Sequence, residues 1–303
     1  MDTEKWIRGL EIETIEEAEA LIESAFIAKV TRLDLSFCHR YKSSIIPESI
    51  GNLPSLRELT IYNKSFNTVY IEEIPITIGK LSNLKVLKIY DLCELKYLPE
   101  SLGNLTNLEY LHIADCSQLK KLPNSIGKLK NIRRLELMEC MRSLANLESL
   151  PDTIGQLSSL SELIIKSTAI HSLPDTIGNL SNLNYLEISN NTNLHQLPDT
   201  IGNLHQLKIL LMERGFLTSL PESIGELVNL QELIINDNQL TQLPDSIGNL
   251  TNLKRLELVK NKLIGLPDSI GNLTGLRDSI LLYENPLNSL PDSILNLPVE
   301  VDW

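Results

Sequence analysis

The sequence predicts an α/β solenoid, a right-handed superhelix with one parallel β-sheet on its concave face and short turns or 3₁₀ segments on its convex face. The first observation is a repeat: residues 230–253 read LQELIINDNQLTQLPDSIGNLTNL, and the same cycle starts again at the last leucine. The second is a period, since prolines that follow an apolar residue recur 23 to 28 residues apart, which indicates stacked coils. These prolines are Pro47, Pro75, Pro99, Pro123, Pro151, Pro174, Pro198, Pro221, Pro244, Pro267 and Pro291.

The first part of each coil is predicted to be a strand. Leu233 and Ile235 alternate with Ile234, so the first two face the core and Ile234 faces outward. Asn238 follows where the chain turns, and its amide can satisfy backbone groups inside the coil that have no sheet partner. Cys and Thr take this ladder position in other coils. The predicted structural ladder consists of Cys38, Cys116, Cys140, Thr168, Asn191, Asn238, Asn261 and Asn285.

The LPDSIG part of the coil returns the chain to the start of the next strand. Pro244 sets φ at the beginning of a helical turn, and Gly248 is expected to supply a left-handed exit. The stretch is too brief for a long helix, so short 3₁₀ turns are predicted.

Residues 1–29 differ from the repeats and are predicted to form an N-terminal cap. Thr14 and Glu17 have capping-box spacing, which predicts a helix over about residues 15–28. This helix either protects the core of the first repeat or docks another protein. The first strand is expected at residues 31–35, and eleven repeats are expected to fill residues 30–297.

Three places depart from the regular period. Two repeats carry extra residues, within residues 63–74 and 141–146, which are either binding loops or tolerated surface bulges. A β-bulge is predicted within residues 276–282, where one residue is added.

Residues 298–303 are either a closing cap strand or a truncation point in a longer protein.

Composition and motifs argue against several classes of function. A net charge of −12 and a pI near 5.0 disfavour binding to nucleic acid or to anionic membranes. No apolar stretch reaches membrane-spanning length and no signal peptide is evident, so a cytoplasmic location is expected, with a secreted effector as the alternative. The sequence has no HExxH, P-loop or CxxC motif. We therefore expect no enzyme activity, no metal, no cofactor, and free thiols.

The outward-facing strand residues are the predicted partner-binding face. Tyrosine supplies stiff amphipathic contact area, and outward aliphatic residues are expected to form exposed apolar patches. The alternative is that β propensity alone places these residue types in strands. The candidate binding residues are Tyr62, Lys88, Tyr90, Tyr110, His112, Glu136, Met138, Ile164, Tyr185, Leu211, Ile234 and Tyr283.

The repeats resemble the 23-residue leucine-rich repeats of bacterial proteins, Ras-binding scaffold proteins and plant Ras-group proteins. Residues 95–140, LKYLPESLGNLTNLEYLHIADCSQLKKLPNSIGKLKNIRRLELMEC, are also similar to plant disease-receptor repeats. Residues 16–36, EEAEALIESAFIAKVTRLDLS, are similar to caps of bacterial repeat proteins, including those attached to Roco-type GTPases.

The resemblance implies a non-enzymatic interaction module or scaffold that binds a protein or peptide, with no residue roles to transfer. The chain is expected to be monomeric. The alternative function is a ligand-sensing or targeting segment of a larger protein, such as a Roco-type GTPase, a receptor or a ubiquitin-ligase effector.

Overall fold

The computed structural model describes residues 5–64, 68–139 and 146–303, without the side chains of residues 8–10. The predicted ladder residue Cys140 and most of the predicted loop at residues 141–146 lie outside the described residues. The chain divides into two compact units, residues 1–160 and 161–303, hereafter the N-terminal and C-terminal units. In the described part of the chain, no helix has both the length and the apolar character needed to cross a membrane.

The N-terminal unit contains a parallel sheet in which each strand pairs with the next one along the chain. Parallel pairing follows because every coil returns the chain to the same edge before the next strand begins. The strands are β1 (Trp6–Ile12), β2 (Arg32–Phe37), β3 (Glu58–Asn63), β4 (Val86–Tyr90), β5 (Tyr110–Ala114) and β6 (Arg134–Met138).

The prediction that the first strand follows the helix is wrong. β1 precedes it and pairs in parallel with β2, with Trp6 opposite Arg32 and a register shift between Arg8 and Glu11. β1 lacks the leading leucine pattern of the repeats and carries Gly9, a weak strand former. Its pairing with β2 is a tertiary effect that local sequence patterns do not reveal.

The predicted N-terminal helix is confirmed as α1, Ile15–Ala28. Its capping box is present: the Glu17 amide donates to Thr14 Oγ1 at 3.2 Å, and the Thr14 amide donates to Glu17 Oε2 at 3.3 Å. Ala18, Ile22 and Ala25 form its buried face.

The C-terminal unit contains a second run of parallel strands with the same neighbour order. They are β7 (Glu162–Lys166), β8 (Tyr185–Ser189), β9 (Ile209–Leu211), β10 (Glu232–Ile234), β11 (Arg255–Glu257), β12 (Ile280–Leu281) and β13 (Val301–Asp302).

The predicted bulge in this unit is confirmed at the start of β12. The Asp278 amide donates to Lys254 O, just as the Arg255 amide donates to Gln231 O one coil earlier. Leu281 nevertheless pairs with Glu257, so one residue is added between Asp278 and Leu281. The predicted strand within residues 298–303 is present as β13, which covers two residues and pairs in parallel with β12.

Short 3₁₀ turns connect the strands, as predicted, and each begins directly after one of the periodic prolines. In the N-terminal unit they are Glu48–Asn52, Ile76–Lys80, Glu100–Asn104, Asn124–Lys128 and Asp152–Gln156. In the C-terminal unit they are Asp175–Asn179, Asp199–Asn203, Glu222–Glu226, Asp245–Asn249, Asp268–Asn272 and Asp292–Asn296.

The predicted left-handed exit at Gly248 is wrong. Among the described residues no glycine has a positive φ. A Cβ atom added to Gly248 would instead lie 2.4 Å from Ser269 O in the next coil, so glycine is needed for close approach between coils. The left-handed residue stands just before the ladder position, as at Asp237 with φ 57°. Its neighbour Asn238 is thereby directed into the coil.

Candidate functional site

The asparagine ladder is a buried hydrogen-bond column within the C-terminal unit. Asn238 is 3% exposed; its Nδ2 donates to Met212 O at 2.8 Å and Asn236 O at 3.0 Å, and its Oδ1 accepts from the Leu217 amide at 3.0 Å. In the same way, hydrogen bonds link the side-chain amides of Asn191, Asn261 and Asn285 to backbone groups of the preceding coil. The buried Thr168 donates to Asn191 Oδ1 from both its backbone amide and its hydroxyl.

The ladder position of the N-terminal unit is filled differently. Cys38 and Cys116 are buried free thiols, and Cys116 Sγ lies 3.3 Å from Ala114 O. Burial, the largest influence, together with nearby carboxylates raises the pKa of the Cys116 thiol well above its usual value. Such a thiol stays protonated and acts as a small packing group with a weak donor.

A second asparagine column, which the sequence interpretation missed, stands at the coil edge before each strand. Asn83, Asn107 and Asn131 in the N-terminal unit each donate from Nδ2 to a backbone carbonyl of the preceding coil at 2.8 Å. Asn229 and Asn252 do the same in the C-terminal unit. The available signal was the Asn that recurs before an apolar residue shortly ahead of each of these strands, as at Asn83 and Asn107.

The outer face of the N-terminal sheet, here called the open sheet face, carries an aromatic cluster. The Tyr62 and Tyr90 rings stack with centroids 4.9 Å apart at 23°. The His112 ring lies 6.4 Å from Tyr90 and 6.2 Å from Tyr110. Register places them together, because Tyr62 pairs with Tyr90 and Lys88 pairs with His112 on adjacent strands. Met138 stands at the end of β6 in the same row as Ala114.

Glu136 is the buried centre of this cluster, with a side chain only 8% exposed. Its Oε2 accepts from the Tyr110 hydroxyl and lies 2.6 Å from His112 Nδ1, and its Oε1 accepts from Arg134 Nε at 2.7 Å. A carboxylate that is only an acceptor requires His112 to donate through Nδ1. Both carboxylate oxygens are therefore used inside the cluster, and His112 carries a proton on Nδ1.

The ionisation of this network follows from its contacts. Burial is the largest influence on the pKa of Glu136 and raises it, but hydrogen bonds from Tyr110, Arg134 and His112 together lower that pKa below its usual value. Burial and the bond to Glu136 raise the pKa of Tyr110 far above its usual value. The pair is thus a carboxylate held by a neutral phenol.

The remaining candidate residues stand on the C-terminal sheet. Tyr185 donates to Glu187 Oε2 at 2.8 Å, and Lys166 Nζ lies 2.7 Å from Glu187 Oε1. Leu211 is half-buried on β9, and Tyr283, after β12, is 41% exposed.

The expectation that outward aliphatic residues form exposed apolar patches is wrong for Ile164 and Ile234, each 6% exposed. Both lie in the middle row of three outward rows. Strands about 5 Å apart place a neighbour directly beside each of them, Glu187 beside Ile164, and Leu211 and Glu257 on the two sides of Ile234. Outward direction alone does not decide exposure.

Two arginines that stand at the first position of a strand were also missed as partners of the acidic residues on the same face. Arg134 and Arg255 bind the acidic residue two positions later, Glu136 and Glu257, through Nε at 2.7 Å in each case. Residues two apart share one face of a strand, so the Arg-Leu-Glu pattern was the available signal.

The described residues contain no group of three or more His, Cys, Asp or Glu side chains arranged to hold a metal ion. Comparison with family models matches a leucine-rich repeat region over residues 15–150, 141–212 and 195–283. The chain belongs to the leucine-rich repeat family. Leucine-rich repeat proteins commonly serve as interaction modules, since their curved sheets offer extended binding surfaces. A search of curated proteins finds no match to this leucine-rich repeat chain.

Solved leucine-rich repeat structures share the fold. A leucine-rich repeat protein of Leptospira interrogans is 29% identical with a TM-score of 0.71, covering 95% of this chain and 68% of that one. The leucine-rich repeat domain of the type III effector XopL is 24% identical with a TM-score of 0.64, covering 80% and 81%. PEPR1, solved with AtPEP1, is 26% identical with a TM-score of 0.57, and this chain covers 42% of its length.

Proposed function

We propose that this leucine-rich repeat protein is a non-enzymatic binding module that holds a protein or peptide on its open sheet face. The observation that carries the proposal is the stacked Tyr62–Tyr90 pair, with Tyr110 and His112 beside it. These rings are half-buried, so each keeps a free surface while its position is fixed by neighbours. Rigid amphipathic rings lose little entropy on binding and are enriched at interfaces.

The charged groups around the rings also support a binding role. Glu136 is already satisfied by side chains of its own sheet, so a partner need not leave it unpaired on desolvation. The similar PEPR1 chain was solved with AtPEP1, which supports a bound partner for this chain as well.

The test uses a partner recovered by affinity purification from cells of the source organism. The Tyr62→Ala/Tyr90→Ala double variant should weaken its binding by about 30-fold or more, measured as Kd by calorimetry. Tyr97→Ala is the matched control, because Tyr97 is 65% exposed and lies outside the strands, two residues before Pro99. Equal affinity of the double variant and the control would refute the assigned face.

A second candidate function is a sensing or targeting segment of a larger protein. Its support is that this chain corresponds to 42% of the PEPR1 chain and 68% of the Leptospira protein. Sequencing the source gene beyond both ends of this chain tests it, and an adjoining domain in the same reading frame would support it.

A further inference from the structure

Within the ion pairs of the open sheet face, the cation is the more exposed partner. Three outward ion pairs join a buried or half-buried carboxylate to a more exposed cation. Arg134 is 45% exposed against 8% for Glu136, Arg32 is 38% exposed against 10% for Asp34, and Lys88 is 32% exposed against 23% for Glu58. The carboxylates lie closer to the sheet than the ends of the longer cationic side chains, and Lys88 Nζ has N–H groups beyond the one that it donates to Glu58. The accessible donors therefore favour an anionic group on the partner.

His112 adds a directed donor to this cationic row when its ring is doubly protonated. Its Nδ1 is held by Glu136, so Nε2 is the ring nitrogen available to a partner. Lys88 lies directly opposite His112 on the adjacent strand, about 5 Å away at the backbone. Lys88 Nζ bonds Glu58 at 3.2 Å and keeps two further N–H groups. A carboxylate above this pair can accept from both.

The Tyr62–Tyr90 pair indicates which kind of partner side chain would lie beside the partner carboxylate. Tyr90 follows Lys88 by two residues on β4 and shares its face, so the two sites are about 6.6 Å apart along the strand. An extended peptide spaces its own same-face side chains by the same distance. A carboxylate and an aromatic or apolar side chain two residues apart would therefore reach both sites together.

Acidic residues at the C-terminal ends of the strands determine which way a bound peptide would lie. Asp91 and Asp115 directly follow β4 and β5. Burial, Tyr62, Asp34 and Asp91 all raise the pKa of Tyr90, which marks negative charge near the tyrosine pair. A partner carboxylate is repelled there and attracted to the strand-start side, where Lys88 and Arg134 stand.

We infer that the open sheet face binds an extended segment of a protein partner through an acidic side chain received by His112 Nε2 and Lys88 Nζ. An aromatic or apolar side chain two residues away in the partner lies on Tyr62 and Tyr90. This inference rests on the proposed function and specifies the chemistry of its partner. In the complex the imidazole ring carries protons on both nitrogens, one shared with Glu136 and one with the partner carboxylate.

The test begins with a phage-displayed library of random 12-residue peptides selected on the intact chain. Selected peptides should share a Glu or Asp two positions from an aromatic or apolar residue. One such peptide and its Glu→Gln (or Asp→Asn) counterpart are then titrated against the wild type. The amide should bind about 10-fold more weakly, a change made in the peptide alone and independent of protein folding.

Variants of the protein locate the effect. In the Lys88→Met/His112→Gln variant, the acid and amide peptides should bind within about 3-fold of each other, because their receptor groups are gone. Lys96→Met is the matched control, since Lys96 pairs with Glu72 away from this face, and it should behave like the wild type.

Two outcomes overturn the inference and are distinguishable. If selected peptides require Tyr62 and Tyr90 but bind equally well as acid and amide, the carboxylate site is wrong and the binding module stands. If the selection yields no peptide whose binding is lost in Tyr62→Ala/Tyr90→Ala, the proposed function and this inference fail together.

Discussion

At the residue scale, Gly248 and Gly265 show that neighbours decide what a glycine is for. A Cβ at Gly248 would meet Ser269 O at 2.4 Å, whereas nothing lies within 4 Å of a Cβ at Gly265. Gly248→Ala should therefore lower the free energy of unfolding by about 3 kcal/mol. Gly265→Ala should leave it unchanged or raise it by about 0.5 kcal/mol, by restricting the unfolded chain. Urea titrations at constant m-value measure both, and equal effects of the two substitutions would contradict the close-approach role.

Asn238 supports a second residue-scale prediction. Asn238→Ala leaves the Leu217 amide and Met212 O buried without partners, so we expect a loss of about 2–3 kcal/mol in unfolding free energy. The control is Asn229→Ala, which removes a single exposed bond to His205 O and should cost about 0.5–1 kcal/mol. A loss no greater at position 238 than at position 229 would show that the buried column contributes little.

The structural role of a residue could be predicted where its residue type has only one plausible role at that position. An Asn that recurs at the same position after each strand is best explained by hydrogen bonds to backbone groups inside the coil, so the ladder could be predicted. Gly248 has two physical uses, positive φ and close approach, and only the coordinates of Ser269 distinguish them. Burial of Ile164 depends on side chains of neighbouring strands, which a single repeat does not contain.

At the scale of elements, α1 and β1 mark what local sequence can and cannot predict. The Thr14 capping box is local, and the helix predicted over about residues 15–28 agrees with α1 at both ends. β1 depends on pairing with β2 across the whole of α1. Nothing within β1 itself distinguishes such a strand from an extended tail.

The pair of strands β5 and β6 is joined by the Glu136 network, which gives a pH prediction. Because the folded-state pKa of Glu136 lies below its unfolded value, the unfolded chain takes up this proton first as pH falls. Its stabilising effect is present at neutral pH and is lost as pH drops below about 4.5 through the folded-state pKa. Glu136→Gln should lower stability at pH 7 and flatten the acid side of the stability profile.

Thermal melting between pH 7 and pH 3 measures this effect. Glu148→Gln, an exposed carboxylate in the same unit, should reproduce the wild-type profile. A Glu136→Gln profile parallel to the wild type over the whole range would mean that the ionised form of Glu136 is not favoured by folding.

At the scale of the whole molecule, the repeat made the fold predictable and left its binding chemistry undetermined. The similar coils specify strand, turn and core positions many times over, so an ambiguous position in one coil can be interpreted from the others. The open sheet face has no such redundancy. The combination of Tyr62, His112 and Glu136 is not repeated from coil to coil, so the distances among these side chains had to come from the structure.

The same redundancy makes removal of one complete coil a sharp test. Deleting residues 230–252 joins Asn229 to Leu253 in the same phase of the repeat, so Asn261 can take over the bonds of Asn238 to Met212 O and Leu217 N. Each coil contacts only its neighbours, so this variant should still unfold cooperatively with a modestly lower midpoint. Deleting residues 230–240 instead removes a strand and leaves its return turn out of phase, which should abolish the cooperative transition. Urea unfolding followed by circular dichroism compares the two, and similar behaviour of both deletions would show that stability does not depend on repeat phase.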